Sequence, residues 1–272
     1  AAERKVRKAL QEGEAVDLLN VVHLRLTAKG LAGKEHGTRA IYAEPLPGVL
    51  PDSTVGDKDE LVVVIAAERV DKFNELLAKR LTKPGRSAYI AEGLTGVVEP
   101  VKQYGADVVI MDSDVESGDE IRQWLKSTPE RSLISLIAVY GHEEPTETVN
   151  RFRVCEDELV VEPYEMHQLE TIIANEIKRI NLERKYFRHE VTFEFATKLI
   201  FQEQACDYLE KLAAHSGLNE ESQMGLCVAF REAVDNACRH GNKHTNEKLV
   251  RIAYVVDREK VTVTIEDEGG GF

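Results

Sequence analysis

The chain is 272 residues long, 43% hydrophobic and 31% charged, with a net charge of −13; this suits one large or two ordinary globular domains and excludes wholesale disorder. None of the segments 1–60, 61–163 and 164–272 carries an excess of Lys and Arg, so direct nucleic-acid binding, which needs a cationic surface, is not expected. The longest apolar run, residues 61–67, is too short to span a membrane, and no export signal is visible, so the expected setting is cytoplasmic.

Residues 3–30 place Val6, Ala9, Leu10, Leu18, Leu19, Val22 and Leu26 at helical spacing and are expected to be largely helical. The stretch 30–59 is rich in breakers, from Gly33 and Gly37 through Pro45, Pro47 and Pro51 to Gly56, and reads as a loop or linker. Residues 1–60 carry no recognisable function. From Leu61 the pattern changes. Leu-Val-Val-Val-Ile-Ala-Ala reads as a buried strand, and 70–81 as a helix with Val70, Phe73, Leu76, Leu77 and Leu81 on one face. A strand at 87–91, a helix at 94–104, a strand at 108–111 ending on Asp112, a helix at 119–127, a strand at 133–139, a short helix near 146–151 and a strand at 159–161 complete this region. The alternation over 61–163 predicts a flavodoxin-like, doubly wound parallel sheet.

Residues 164–188 contain no breaker, and Met166, Leu169, Ile173, Ile177 and Ile180 mark an amphipathic helix. It either packs on its own domain or is a connecting signalling helix that pairs with its twin in a homodimer. From Val191 the order differs: an edge strand Val-Thr-Phe-Glu-Phe, a helix at 197–215, a stop and new N-cap at Gly217-Leu218-Asn219, a helix at 220–240, and strands at 248–256 and 260–266. That order predicts an α+β sandwich, a mixed sheet covered on one face. Cys155, Cys206, Cys227 and Cys238 form no CxxC pair and read as small buried hydrophobes. His23, His36, His142 and His244 show no metal-ligand spacing.

Glu232 and Asn236 are four residues apart and project from one helical face. Arg239, His240, Gly241 and Asn242 end that helix, and the second hairpin strand ends in Asp267-Glu268-Gly269-Gly270-Gly271. Each half is weak alone; together, in this order, they are specific. Phe-Arg-Glu-Ala-Val-Asp-Asn-Ala-Cys-Arg-His-Gly-Asn followed by Val-Thr-Val-Thr-Ile-Glu-Asp-Glu-Gly-Gly-Gly-Phe resembles the N-box and first glycine box of the Bergerat-fold ATPases, the superfamily of DNA gyrase and the histidine kinases. Over 189–272 the plan is most similar to the anti-sigma-factor serine kinases. The resemblance implies ATP and Mg²⁺ as cofactors. Asn236 would hold the metal, Glu232 would be the general base, Asp267 would accept a hydrogen bond from the adenine amino group, and Gly269 and Gly271 would let the backbone approach the nucleotide at positive φ. The family's ATP lid and later glycine box lie beyond Phe272.

Residues 61–163 resemble a response-regulator receiver domain, with Asp112 where the phosphoacceptor sits. The acidic pair that holds Mg²⁺ is replaced by Ala66-Ala67, the hydroxyl residue after the fourth strand by Tyr140 or Gly141, and the Lys before Pro by Glu162 before Pro163. The resemblance therefore implies a degenerate receiver that serves as an interaction platform, with Asp112 a vestigial phosphoacceptor.

The two resemblances together imply a serine/threonine-type protein kinase of anti-sigma character, regulated by a pseudo-receiver. Its partners would be a small antagonist protein as substrate and a sigma factor. One alternative is a histidine kinase, suggested by Phe187-Arg188-His189-Glu190; it is disfavoured because a strand starts at once after His189 and only 42 residues separate it from Glu232. Another is a non-catalytic ATP-gated binding module, against which the retained Glu232 speaks.

Overall fold

The computed structural model describes residues 16–18, 22–24, 37–43, 60–141, 151–186, 189–257 and 260–269. The chain divides into two compact units, one of residues 53–146 and 156–185, the other of 1–52, 147–155 and 186–272. In chain order the first strands are β1 (Val16–Leu18), β2 (Val22–Leu24) and β3 (Gly37–Ala43), all in the second unit.

The unit built from the middle of the chain holds β4 (Leu61–Ala67), α1 (Lys72–Leu81), β5 (Arg86–Glu92), α2 (Gly93–Tyr104), β6 (Val108–Asp112), α3 (Gly118–Leu125), a short α4 (Pro129–Ser132), β7 (Ser135–Tyr140), β9 (Glu158–Val161) and α5 (Met166–Tyr186). Its strands pair in parallel in the order β5-β4-β6-β7-β9, the flavodoxin-like order. Alternation along β4 supplies both faces: Val62, Val64 and Ala66 pack with α2 and α3, while Val63 and Ile65 pack with α1 and α5. Burial on both sides is why the strand reads as one continuous apolar run. Asp71 caps α1 by accepting the Asn74 N–H at 2.8 Å. Gly105 ends α2 in the left-handed conformation, with φ of 68°.

Helix α5 packs on its own unit. Leu169, Ile173 and Ile180 are buried, so the stripe that a twin helix would need already covers the sheet. Charged side chains fix it there. Glu176 accepts a 2.6 Å hydrogen bond from Ser135 and pairs with Arg179 at 2.6 Å, Arg86 and Lys83 each reach Glu170 at 2.9 Å, and Arg184 reaches Asp107 at 3.3 Å. Lys126, only 1% exposed, donates to the carbonyls of Ser132 and Ile134 and to Asp157 at 2.5 Å.

The other unit is a five-stranded antiparallel sheet, β3-β12-β11-β10-β8, formed with β8 (Phe152–Val154), β10 (His189–Ala196), β11 (Leu249–Val256) and β12 (Val261–Asp267). Helices α6 (Leu199–Ala214) and α7 (Glu220–Asn236) pack against it. Strict alternation along β12 buries Val261, Val263 and Ile265. Phe193 meets Phe152 and Tyr208 edge-on, at centroid distances of 5.8 and 5.3 Å.

Several expectations are corrected. The sheet is antiparallel throughout, not mixed, because each of its strands runs opposite to its neighbours. Within 3–30, the described residues form a β1–β2 pair rather than a helix; short apolar runs fit both periods. Within 30–59, β3 pairs residue by residue with β12, from Gly37 opposite Asp267 to Ala43 opposite Val261. The expected receiver boundaries of 61–163 are interrupted by β8, which pairs with β10 in the second unit. The helix expected near 146–151 lies outside the described residues, save that Arg151 is a bend. Gly271 also lies outside them.

Candidate functional site

Helix α7 begins on Asn219, whose side chain accepts the Ser222 N–H at 2.7 Å. Leu226, Ala229, Phe230 and Ala233 bury its inner face, which leaves Glu232 and Asn236 together on one partly exposed flank. The Asn236 amide nitrogen lies 3.5 Å from Glu232 Oε1, so its oxygen is turned away from the carboxylate. Beyond Asn236 the helix widens into a π-type turn, Ala237–Gly241, closed by a 2.8 Å bond from Asn242 N–H to the Ala237 carbonyl. Such turns recur at functional sites.

Asn242 ties this end of the helix to its neighbours. It is 0% exposed. Its Nδ2 donates to Thr197 Oγ1 and to the Leu249 carbonyl, both at 2.9 Å, and its Oδ1 accepts the Glu268 N–H at 2.9 Å. One side chain thus joins the end of α7 to the entry of α6, the start of β11 and the end of β12. Glu268 in turn accepts the Leu249 N–H at 2.9 Å. Lys243 and His244, with φ of 54° and 55°, hold left-handed conformations that non-glycine residues rarely adopt.

Asp267, 5% exposed, is held against the end of α7. A Cβ on Gly241 would fall 2.3 Å from the Asp267 carboxyl carbon, and one on Gly269 would fall 2.4 Å from the Gly241 carbonyl oxygen. Asp267 Oδ1 accepts the Gly269 N–H at 3.0 Å. The expected positive φ is absent at Gly269; what this position needs is room, because two backbone segments and a carboxylate meet there. The sequence reading missed Gly241 and Asn242 as site residues. Gly-Asn at a helix end looks like an ordinary stop, and the one available signal was its place between the two motifs.

The donor set fits Mg²⁺. Asn236 offers a hard oxygen ligand, and Mg²⁺ typically takes one or two protein oxygens and completes its shell with substrate phosphates and water. Among the described residues, no group of three or more His, Cys, Asp or Glu could hold a metal ion on its own. His189 opens β10 opposite Val256; it lies on a strand, not on the helix that a phosphoaccepting histidine would need. Burial pushes the thiols of Cys206 and Cys227 up to about 11 and that of Cys238 up to about 12, which makes them packing groups rather than nucleophiles.

In the parallel-sheet unit, Asp112 is exposed at the C-terminal end of β6, and its Oδ1 accepts the Asp114 N–H at 3.2 Å. Ala66 and Ala67, 1% and 3% exposed, end the neighbouring β4. The next residue, Glu68, accepts the Glu116 N–H at 3.0 Å. Burial first, then Glu162 and Asp112, pushes the Tyr164 hydroxyl above its ordinary range. The buried Lys126 lies at the opposite end of the strands, bonded beside Ser135 and Asp157, and cannot stand in for a lysine beside Asp112.

Residues 197–272 match the histidine kinase-like ATPase domain family. This segment is therefore similar to an ATPase domain. No curated protein sequence matches the chain. Among solved structures, the chain is similar to the receiver domain of a DNA-binding response regulator (merR) from Colwellia psychrerythraea 34H, with 19% identity, 44% of this chain and 99% of that one covered, and a TM-score of 0.36. It is also similar to the receiver domain of a Luxo repressor protein from Vibrio parahaemolyticus, with 18% identity, 46% and 95% covered, and a TM-score of 0.38. A third is the Legionella pneumophila response regulator LqsR, with 11% identity, 78% and 89% covered, and a TM-score of 0.33. The chain thus combines a segment similar to a histidine kinase-like ATPase domain with a flavodoxin-like parallel sheet. Among the described residues, no helix is long and apolar enough to cross a membrane.

Proposed function

We propose that the protein is an ATP-dependent kinase that transfers the γ-phosphoryl group to a serine or threonine of a protein partner, under the control of a receiver that is not itself phosphorylated. The observation that carries this reading is the pairing of Glu232 with Asn236 on a flank of α7 whose end is clamped to the buried Asp267. A carboxylate beside a metal-binding amide can accept the proton of an attacking hydroxyl. Asn236 and the nucleotide phosphates would hold Mg²⁺, which supplies charge neutralisation when bound. Asp267, recessed between glycines, would accept a hydrogen bond from the adenine amino group. The strand position of His189 favours a hydroxyl acceptor over histidine. A small antagonist protein as substrate and a sigma factor as second partner are the partners that the likeness to anti-sigma kinases suggests.

The deciding experiment incubates the protein with labelled ATP, Mg²⁺ and candidate antagonist proteins. Acid-stable label on the partner is expected. Alkali-stable, acid-labile label would mean phosphohistidine and would overturn the assignment of the acceptor.

A further inference from the structure

Helix α7 presents an apolar line in solvent that ends at the proposed base. Met224 is 70% and Val228 46% exposed, although the opposite side of the same helix is fully buried. Met224, Val228, Glu232 and Asn236 are four residues apart in turn, and each step of four advances about 40° around the axis. The line therefore winds from the outward crest of the helix onto the flank that carries Glu232 and Asn236. Arg231 reaches Glu210 of α6 at 3.2 Å, which places α6 on one flank; β2 and β3 also contact the helix, and Met224 and Val228 stay exposed.

The spacing matches one kind of ligand. At 1.5 Å per residue, Val228 and Met224 stand about 6 and 12 Å along the axis from Glu232. In an extended peptide, the second and fourth residues from a hydroxyl share its face and lie about 7 and 13 Å away. Charge selects further. Glu220 and Glu221 are exposed at the far end of the line, whereas Arg231 and Arg239 are paired with Glu210 and Asp235. The helix thus offers carboxylates, and no unpaired cation, to whatever lies along it.

We infer that Met224 and Val228 form a docking track for the protein substrate: an extended segment with apolar residues two and four positions from the acceptor serine or threonine and a basic residue beyond them. This rests on the kinase reading above. With the segment seated, the acceptor oxygen bonds to the γ-phosphorus of ATP, the bond from that phosphorus to the β,γ-bridging oxygen breaks with its electron pair leaving on ADP, and the hydroxyl proton passes to Glu232.

The test uses the full chain, labelled ATP with Mg²⁺, and short synthetic peptides that carry one serine, leucines two and four residues to one side, and terminal lysines. A second series has the leucines on the other side, and controls move each leucine by one position. In-pattern peptides should be phosphorylated with a kcat/KM roughly tenfold above the shifted controls, the discrimination an apolar subsite gives. In Met224→Glu/Val228→Glu that ratio should fall to about one. Glu221→Lys should exchange the preference for terminal lysines for one for terminal glutamates, a change that mere loss of structure does not produce. Phosphorylation with no dependence on leucine position overturns the track and leaves the kinase standing. ATP binding by calorimetry without label on any peptide or candidate antagonist overturns the kinase reading itself. Label confined to this chain would give the track to a second copy and overturn the choice of occupant.

Discussion

At Asn242 three backbone segments depend on one amide. Asn242→Ala leaves the Thr197 hydroxyl, the Leu249 carbonyl and the Glu268 N–H without that partner at a buried or part-buried position, and an unsatisfied buried group costs about 1–3 kcal/mol. A loss of at least about 2 kcal/mol in urea unfolding, together with weaker ATP binding, is expected; an unchanged unfolding midpoint would contradict the clamp. Asp267 and Glu232 separate binding from chemistry. Asp267→Asn exchanges an acceptor for an amide at a nearly closed position and should weaken ATP binding strongly in calorimetry. Glu232→Ala should retain ATP affinity and abolish transfer, because a general base acts in the transition state. Glu232, Asn236, Asp267 and Gly269 were legible from their spacing. Gly241 and Asn242 were not, because their role is defined by atoms of β11 and β12 that lie beside them only in the folded chain.

Among the elements, α6 and α7 carry a pH dependence whose sign is set by burial. Cys206, Cys227 and Cys238 have thiols raised from the ordinary value of 9.0, to about 11 for the first two and about 12 for the third. A raised thiol keeps its proton in the folded state where the unfolded chain has lost it. Its contribution is therefore complete below pH 9 and drains away as pH rises through about 11–12. The buried Tyr254 hydroxyl, also pushed up by burial, acts in the same direction at higher pH. Urea midpoints should be level up to about pH 9 and fall above it, less steeply in Cys206→Ala/Cys238→Ala. A parallel fall in the double variant would assign the effect to other groups. Lys126 gives a sharper case. Lys126→Met removes the buried cation from Asp157, which keeps the Leu136 N–H at 2.7 Å and Arg179 at 3.5 Å, and breaking such a buried pair costs up to about 3–5 kcal/mol. Denaturation of the parallel-sheet unit at clearly lower urea is the expected result. The long elements were readable because their apolar period persists over several turns; β3 and β8 were not, since short segments become strands only when an existing sheet edge takes their hydrogen bonds.

For the molecule as a whole, one unit with a segment similar to a histidine kinase-like ATPase domain is combined with one flavodoxin-like parallel sheet. At the Asp112 end of the sheet stand Ala66, Ala67, Glu162 and Tyr164 rather than an acidic pair and a lysine. An incoming phosphoryl group would meet negative charge without a compensating cation. Intact-mass measurement after treatment with acetyl phosphate and Mg²⁺ should show no added phosphoryl group. An added mass that disappears in Asp112→Asn would establish a working receiver instead. On the proposed reading, control of the kinase would then run through docking of another protein on this unit.

Local pattern determined the parallel sheet, from alternating apolar strands and helices, and the motif resemblance pointed to Glu232, Asn236 and the glycine-rich end of β12 as a candidate nucleotide site. Such signals are repeated along neighbouring residues and survive without knowledge of what lies opposite. Only the tertiary structure decided that residues of the N-terminal segment complete the second sheet, that β8 crosses into it from the middle of the chain, that α5 covers its own unit, and that Asn242 and Gly241 position Asp267. Each of these depends on a hydrogen bond or a close contact between residues distant in sequence, and the energy of such a contact belongs to the pair rather than to either residue's local pattern.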